Sequence, residues 1–226
     1  MAERLRIVTI DGPSGVGKST TSRRVAKAIG FTYLDTGAMY RAVALKCISN
    51  AVDIHNEMEV GRILSDLDIR FLPPLSEQDD VRVVLDGEDV SRRIRVEEIG
   101  MAASAVSALG PVRERMTAMQ RQIGAAGKIV AEGRDMGTVV FPGAAWKFYL
   151  DATPEERARR RVRQLRQRGI EVNEEEILAR IRKRDRDDSE RSLAPLRPAP
   201  DAVHIDSTDM SVEEVAARVL ETIRTR

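Results

Sequence analysis

Along the chain, short apolar runs rich in β-branched residues alternate with longer stretches whose apolar positions recur every three or four residues. Residues 5–10 form such a run and end at Asp11-Gly12, and a helical pattern then occupies 18–29 until Gly30 stops it. Residues 31–34 predict a second strand, after which Thr36 or Asp35 is available to cap a new helix. Between about 68 and 90 the period changes to that of strands, with Pro73-Pro74 as a breaker and Asp86-Gly87 as a hairpin turn, so a small antiparallel sheet is expected there. Helical text resumes over 96–124 with an interruption at Gly110-Pro111, and 128–131 and 146–150 read as buried parallel strands. Thr153-Pro154 with Glu156 predicts a capping box for a helix ending at Gly169, and Asn173 followed by three glutamates starts the next, running to about 191. A proline-rich loop over 194–200, a last strand at 202–205 and a helix capped by Ser211 and Glu214 complete the pattern. Val212, Val215, Ala216, Val219 and Ile223 give that helix one apolar face. Strands alternating with helices predict an α/β, doubly wound parallel sheet flanked by helices.

Composition narrows the partners. The 226 residues suffice for one well-buried domain with insertions and are short for two independent ones. Lys and Arg number 37 against 36 for Asp and Glu, and a net charge of +1 gives no bulk attraction to nucleic acid or membrane. Cys47 is the single cysteine, so no intrachain disulfide forms and no thiolate cluster can bind zinc; a small buried helix residue in a reducing compartment is expected. The first ten residues lack the pattern of a secretory signal or a spanning helix, which points to the cytoplasm, and nothing requires more than a monomer.

The chemistry begins at Gly12-Pro13-Ser14-Gly15-Val16-Gly17-Lys18-Ser19, a complete G-x-x-x-x-G-K-[ST] between a predicted strand and a predicted helix. Its glycines let backbone N–H groups turn inward around phosphate, and the helix that starts there adds its positive end. Lys18 is placed for the β- and γ-phosphates of ATP, the Ser19 hydroxyl for Mg²⁺, and Thr20 follows in the same first turn. The fold class is therefore an α/β sheet of the P-loop NTPase type. A guanine-reading N-K-x-D, a switch D-x-x-G and an LSGGQ-like string are all absent, which argues against GTPases and transporter ATPases.

Arginine supplies the next signal. Arg157, Arg159, Arg160, Arg161, Arg163, Arg166 and Arg168 crowd one helix; most are expected in solvent, while Arg157 and Arg161 share a face and could close over triphosphate as a lid. Arg184, Asp188 and Arg191 also share a helix face, as an acceptor site or as an internal salt bridge. Arg41 and Arg134 follow strand or loop ends, where ligands bind in such sheets. Guanidinium forks from several segments suit two phosphorylated ligands, and a monophosphate acceptor is already ionised, so no strong general base is needed. His55 and His204, the only histidines, are read as structural.

The strings IDGPSGVGKS, LDTGAMYR, VRVVLDGEDVS with the sheet before it, EGRDMGTVVFP, and RDRDDSER followed by APL resemble the cytidylate kinase family over nearly the whole chain. The D-G-F-P-R string of adenylate kinases is missing. The resemblance implies phosphoryl transfer from ATP, with Mg²⁺, to CMP and dCMP. It also implies a core over about 1–35, 111–153 and 192–226, an inserted monophosphate-binding region at about 36–110, and a short helical lid at about 154–190. By the same resemblance Thr36, Arg41, Arg134 and Arg191 hold the monophosphate with Tyr40 beside them; Ser104, Arg113 and Asp135 read cytosine; Arg184 and Asp188 reach the sugar hydroxyls. Ser104 has a simpler reading as a small helix residue. Relatives often carry serine in place of Thr36, which keeps the hydroxyl, and aspartate in place of Glu132, so a water-mediated role in Mg²⁺ binding is not carried over to Glu132. Asp206-Ser207-Thr208 falls where adenine would lie, with backbone contacts expected. Acceptors such as UMP or a non-nucleotide, and a regulator that senses ATP without transfer, are the competing readings.

Overall fold

The structure is a computed structural model that describes residues 5–76, 80–167 and 169–225. The first four residues and Arg168 lie outside the described residues. The chain divides into two compact units, residues 1–34 with 124–226, and residues 35–123.

The first unit is built on a five-stranded sheet in the order β2-β6-β1-β7-β8, comprising β2 (Thr32–Asp35), β6 (Ile129–Gly133), β1 (Leu5–Asp11), β7 (Ala144–Asp151) and β8 (Val203–Asp206). β1 runs parallel to both β6 and β7, and β7 parallel to β8. β1 and β6 are near-continuous apolar runs because helices cover both faces of such a sheet. Val8, Ile10, Val130, Phe148, Leu150 and Ile205 of the strands pack with Val25 and Ala26 of α1 (Lys18–Ile29) and Val215, Ala216 and Val219 of α8 (Val212–Thr225). The apolar stripe expected on the last helix thus faces this core, and Ser211 with Glu214 makes the full reciprocal capping box. Gly30 ends α1 in a left-handed conformation with φ 67°.

A separate pair of helices, α6 (Pro154–Gln167) and α7 (Glu174–Glu190), buries Ala158, Val162, Leu165 and Ile177 in a cluster of its own. The Asn173 side chain caps α7 by accepting from the Glu175 N–H. At α6 only half of the expected capping box forms. Thr153 Oγ1 accepts from the Glu156 N–H, but the Thr153 N–H goes to Thr208 Oγ1 and the Glu156 carboxylate pairs with Arg159 and Arg160. A short π-helical turn, Met136–Val140, follows β6 where no helical element was read.

In the second unit α2 (Thr36–Ser49) packs on α4 (Glu97–Val106), and β3 (Ile69–Leu72), β4 (Arg82–Leu85) and β5 (Glu88–Asp89) form the antiparallel sheet expected there. Asp35, not Thr36, caps α2, accepting from the Ala38 N–H. The hairpin turn has positive φ at both Asp86 (50°) and Gly87 (89°), which matches strand twist. The helical stretch over 96–124 is two helices, α4 and α5 (Gly110–Gly124), because Pro111 cannot continue a helix but fits a first turn. A helix α3 (Glu57–Ile63) capped by Asn56 was not anticipated. Cys47 is fully buried, as expected of a small apolar residue. No helix among the described residues is long and apolar enough to cross a membrane.

Candidate active site

In the first unit the loop between β1 and α1 sits at the carboxyl edge of the sheet, where β1 register pairs Asp11 with Gly133 of β6 and Tyr149 of β7. Gly12 has φ 148°, and a Cβ there would lie 2.0 Å from the Leu150 carbonyl oxygen, so only glycine lets the chain pass. Gly15 and Gly17 have φ 79° and 96°, and Gly17 precedes α1 without a side-chain cap, leaving the first N–H groups of the helix for an anion. Pro13, Ser14 and Val16 fill the turn between these glycines, and Thr20 lies half-buried one residue beyond Ser19.

Lys18 is buried, and its Nζ donates to the Pro13 carbonyl at 2.6 Å. Burial and then the charge of Arg134 drive its pKa well below the usual lysine range, with Glu132 and Asp11 pulling the other way. A desolvated ammonium gains most from a polyphosphate, whose charge replaces the hydration that burial removed. The Ser19 hydroxyl is half-buried in the first turn of α1, one residue after Lys18, where it is the residue of the loop suited to ligate a cation. Among the described residues no cluster of three or more His, Cys, Asp or Glu could hold a metal ion.

Around this loop the unit assembles charged side chains. Arg134 Nε donates to Asp188 Oδ2 at 2.8 Å, and Arg191 Nη1 lies 3.9 Å from Asp188 Oδ1. Burial alone would lower the Arg134 pKa, but Asp188 outweighs it and the value rises. Burial acts upward on Asp188, and Arg134, Arg184 and Arg191 together hold its carboxyl below the usual range. Arg184 therefore belongs to the same charge cluster, while Arg191, just past the end of α7, is anchored by its Nε to the Ala194 carbonyl at 2.7 Å. Of the two readings of this trio, the salt bridge is what these contacts show, made by Asp188 with Arg191 and more closely with Arg134. Asp135, 2% exposed, is buried next in chain to Arg134.

Arg157 is 2% exposed and fully engaged: Nε donates to the Ala152 carbonyl, Nη1 to the Ser14 carbonyl, and the two terminal nitrogens to Asp185 at 3.0 and 2.6 Å. It braces the phosphate loop from α6 in this structure. Arg161, one turn on, is half-buried, whereas Arg159, Arg163 and Arg166 are exposed on another face. Arg160 donates to the Ser207 carbonyl at 2.6 Å and ties α6 to the loop after β8.

The second unit brings together the other expected residues. Thr36 is buried in the first turn of α2, and the Arg113 guanidinium lies over the Tyr40 ring at 5.6 Å while donating to the Ser107 carbonyl. Arg41 donates to the Ile94 carbonyl at 3.2 Å and lies against Gly100 of α4, where a Cβ would meet its Nη1 at 3.4 Å. Ser104 is half-buried on α4, its carbonyl accepting from Ser107.

Three contacts in this unit escaped the sequence reading. Asp11 is buried at the end of β1, where an acid closing an apolar run was the available signal. Burial pushes its carboxyl up to about 7, against the N–H groups of Gly137 and Met136 and the charge of Lys18. Asp185 is the partner of Arg157, one of four acids within RDRDDSER that sequence does not distinguish. Glu132, 4% exposed, accepts from the Tyr33 hydroxyl, a contact across 99 positions that leaves no local mark.

Residues 8–225 match the family model described as Cytidylate kinase. A cytidylate kinase of Vibrio vulnificus (strain CMCP6) is 47% identical over 226 residues, covering 100% of this chain and 99% of that protein. One of Aliivibrio salmonicida is 48% identical over 220 residues, 97% of each. Among solved structures, a gluconokinase from Sinorhizobium meliloti superposes with a TM-score of 0.51 at 13% identity, covering 99% of this chain and 94% of that one, a likeness of fold alone. With a complete phosphate loop, arginines gathered around the buried Asp188 and full-length matches of this kind, the chain belongs to the cytidylate kinase family.

Proposed function

We propose that this protein transfers the γ-phosphoryl group of Mg·ATP to CMP and dCMP. An ionised oxygen of the acceptor phosphate attacks the γ-phosphorus, the bond to the β–γ bridging oxygen breaks, and ADP leaves with that electron pair. No proton needs to be removed first, so the residues act by position and charge. The observation that carries this reading is the desolvated Lys18 beside the Arg134–Asp188–Arg191 cluster in the first unit.

Lys18 spans the β- and γ-phosphates, and the backbone of 12–20 wraps them. The Ser19 hydroxyl would help hold Mg²⁺, which when bound would supply neutralisation of phosphate charge. Arg134, Arg184 and Arg191 stabilise the charge on the transferring group, with Asp188 and Arg184 reaching the acceptor sugar and Asp135 its base. In the second unit we assign Thr36 and Arg41, with Tyr40, to the acceptor phosphate, and Ser104 and Arg113 to cytosine. Arg161 is assigned to the ATP phosphates. Arg157 is assigned there too, through its hold on the Ser14 carbonyl. We further propose that the enzyme acts in the cytoplasm as a monomer, without nucleic acid or membrane, in keeping with a net charge of +1 and a single cysteine.

The test is ADP formation from Mg·ATP with CMP, dCMP, UMP, AMP, GMP and shikimate, each alone. Rapid turnover confined mainly to CMP and dCMP is expected. Turnover with none of them, despite tight ATP binding, would overturn the phosphotransferase reading.

A further inference from the structure

We propose that Asp11 is a positioning residue that fixes the Arg134-Asp135 segment against the root of the phosphate loop. β1 ends in four fully buried residues, Ile7 to Ile10, and then places a carboxylate at 3% exposure. Each of its oxygens accepts one backbone N–H: Oδ1 from Met136 at 2.9 Å and Oδ2 from Gly137 at 2.8 Å. Both N–H groups are buried donors, and the two carboxyl oxygens are the acceptors that satisfy them.

The two N–H groups belong to the residues directly after Arg134-Asp135 and open the turn Met136–Val140. Across the ladder Asp11 is in register with Gly133, and along the chain it precedes Gly12, which is itself held against the Leu150 carbonyl. One side chain therefore links the start of the phosphate loop to the segment bearing two proposed acceptor residues. The fit leaves little slack. A Cβ on Gly137 would lie 3.0 Å from Thr9 Oγ1, 3.3 Å from Lys147 Cδ and 3.4 Å from Asp11 Oδ2. Freed from the carboxylate, the peptide groups of 136 and 137 would have to move or remain buried without an acceptor.

The proposal rests on the assignment of Arg134 and Asp135 to the acceptor, and a carboxylate that merely strengthened the sheet would affect both substrates alike. Asp11→Asn replaces one acceptor by an amide donor and keeps the volume. Steady-state kinetics with CMP and Mg·ATP, and amide hydrogen exchange across 133–140, are to be compared with the unmutated protein. The expected result is a KM for CMP raised about tenfold or more with the KM for ATP within about twofold, and exchange at Met136 and Gly137 faster by about tenfold while β1 and β6 keep their protection. Unchanged kinetics, or equal loss for both substrates together with faster exchange throughout the sheet, would overturn it. Should the Asn variant not fold, Gly137→Ala crowds the same segment against Thr9, Lys147 and Asp11, and the absence of the KM split there would also overturn it. Failure of the functional reading is distinguishable: an unmutated protein inactive on every acceptor leaves the exchange arm standing, and rapid exchange at Met136 and Gly137 in that protein refutes the clamp itself.

Discussion

Replacing Asp188 by Ala tests the charge cluster most directly. The carboxylate side chain is 6% exposed and stands between Arg134, 18% exposed, and Arg191, 8% exposed. Breaking a buried pair by removing one partner costs about 3–5 kcal/mol, because the surviving charge stays desolvated. Arg134 also feels Glu132 and Asp185, which places the loss at the lower end, about 3 kcal/mol. For a chain of this size that lowers Tm by about 6–12 °C. The pH dependence has a definite sign. The folded pKa of Asp188 lies below its unfolded value of 3.8, so its contribution is present above that value and lost as pH falls through the folded one. The gap in stability between the unmutated and Asp188→Ala proteins should be full near neutrality and close in acid. In activity, the KM for CMP should rise at least tenfold with the KM for ATP nearly constant. Urea titrations across pH and two-substrate kinetics give all three quantities. Equal loss of affinity for both substrates would place Asp188 in the structure alone, and a stability gap below about 1 kcal/mol at pH 7 would refute the buried-pair argument.

Lys18→Ala should lower kcat by about a hundredfold or more with little change in Tm, since a buried, desolvated ammonium contributes little to folding; turnover near the unmutated level would refute the loop assignment. Gly12→Ala, with its Cβ driven to 2.0 Å from the Leu150 oxygen, should cost about 3 kcal/mol or more and weaken ATP binding, read by denaturation and nucleotide titration. Arg157→Ala strips the Asp185 pair and the bond to Ser14; with Asp185 23% exposed, a loss of about 2–3 kcal/mol and a raised KM for ATP are expected, and an unchanged KM would confine Arg157 to stability.

Much of the fold was legible because its signals are local. The runs at β1 and β6, the cap at Asn173, the box at Ser211 and Glu214, and the break at Pro111 each need only a few neighbouring residues. What escaped depends on distance or lacks a period. α3 buries only Val60, so its seven residues show no apolar stripe. The turn Met136–Val140 is written in apolar residues that carry no helical phase, and its opening N–H groups are held by Asp11, 125 and 126 positions away. Half of the box at Thr153 failed because Glu156 found two arginines that the capping motif does not mention.

The site divides along the same line. The phosphate loop is a backbone device, and glycine at fixed offsets is both its cause and its signature, so eight consecutive residues sufficed to find it. The arginines are side-chain devices whose roles follow from what faces them. Arg157 and Arg159 are alike as letters; Ala158, Val162 and Leu165 set the phase of α6, which buries Arg157 against Ser14 and Asp185 and leaves Arg159 in solvent. Helical phase was readable and put Arg157 and Arg161 on one face of α6, but the carboxylate that receives Arg157 comes from α7. Asp185 and Asp188 each pair with an arginine and Asp11 holds a backbone segment, and each is an acid among many in the sequence. The proposed site thus rests on carboxylates as much as on arginines. Cations must be held apart and aimed before the substrate arrives, and only the folded chain shows which carboxylate aims which cation.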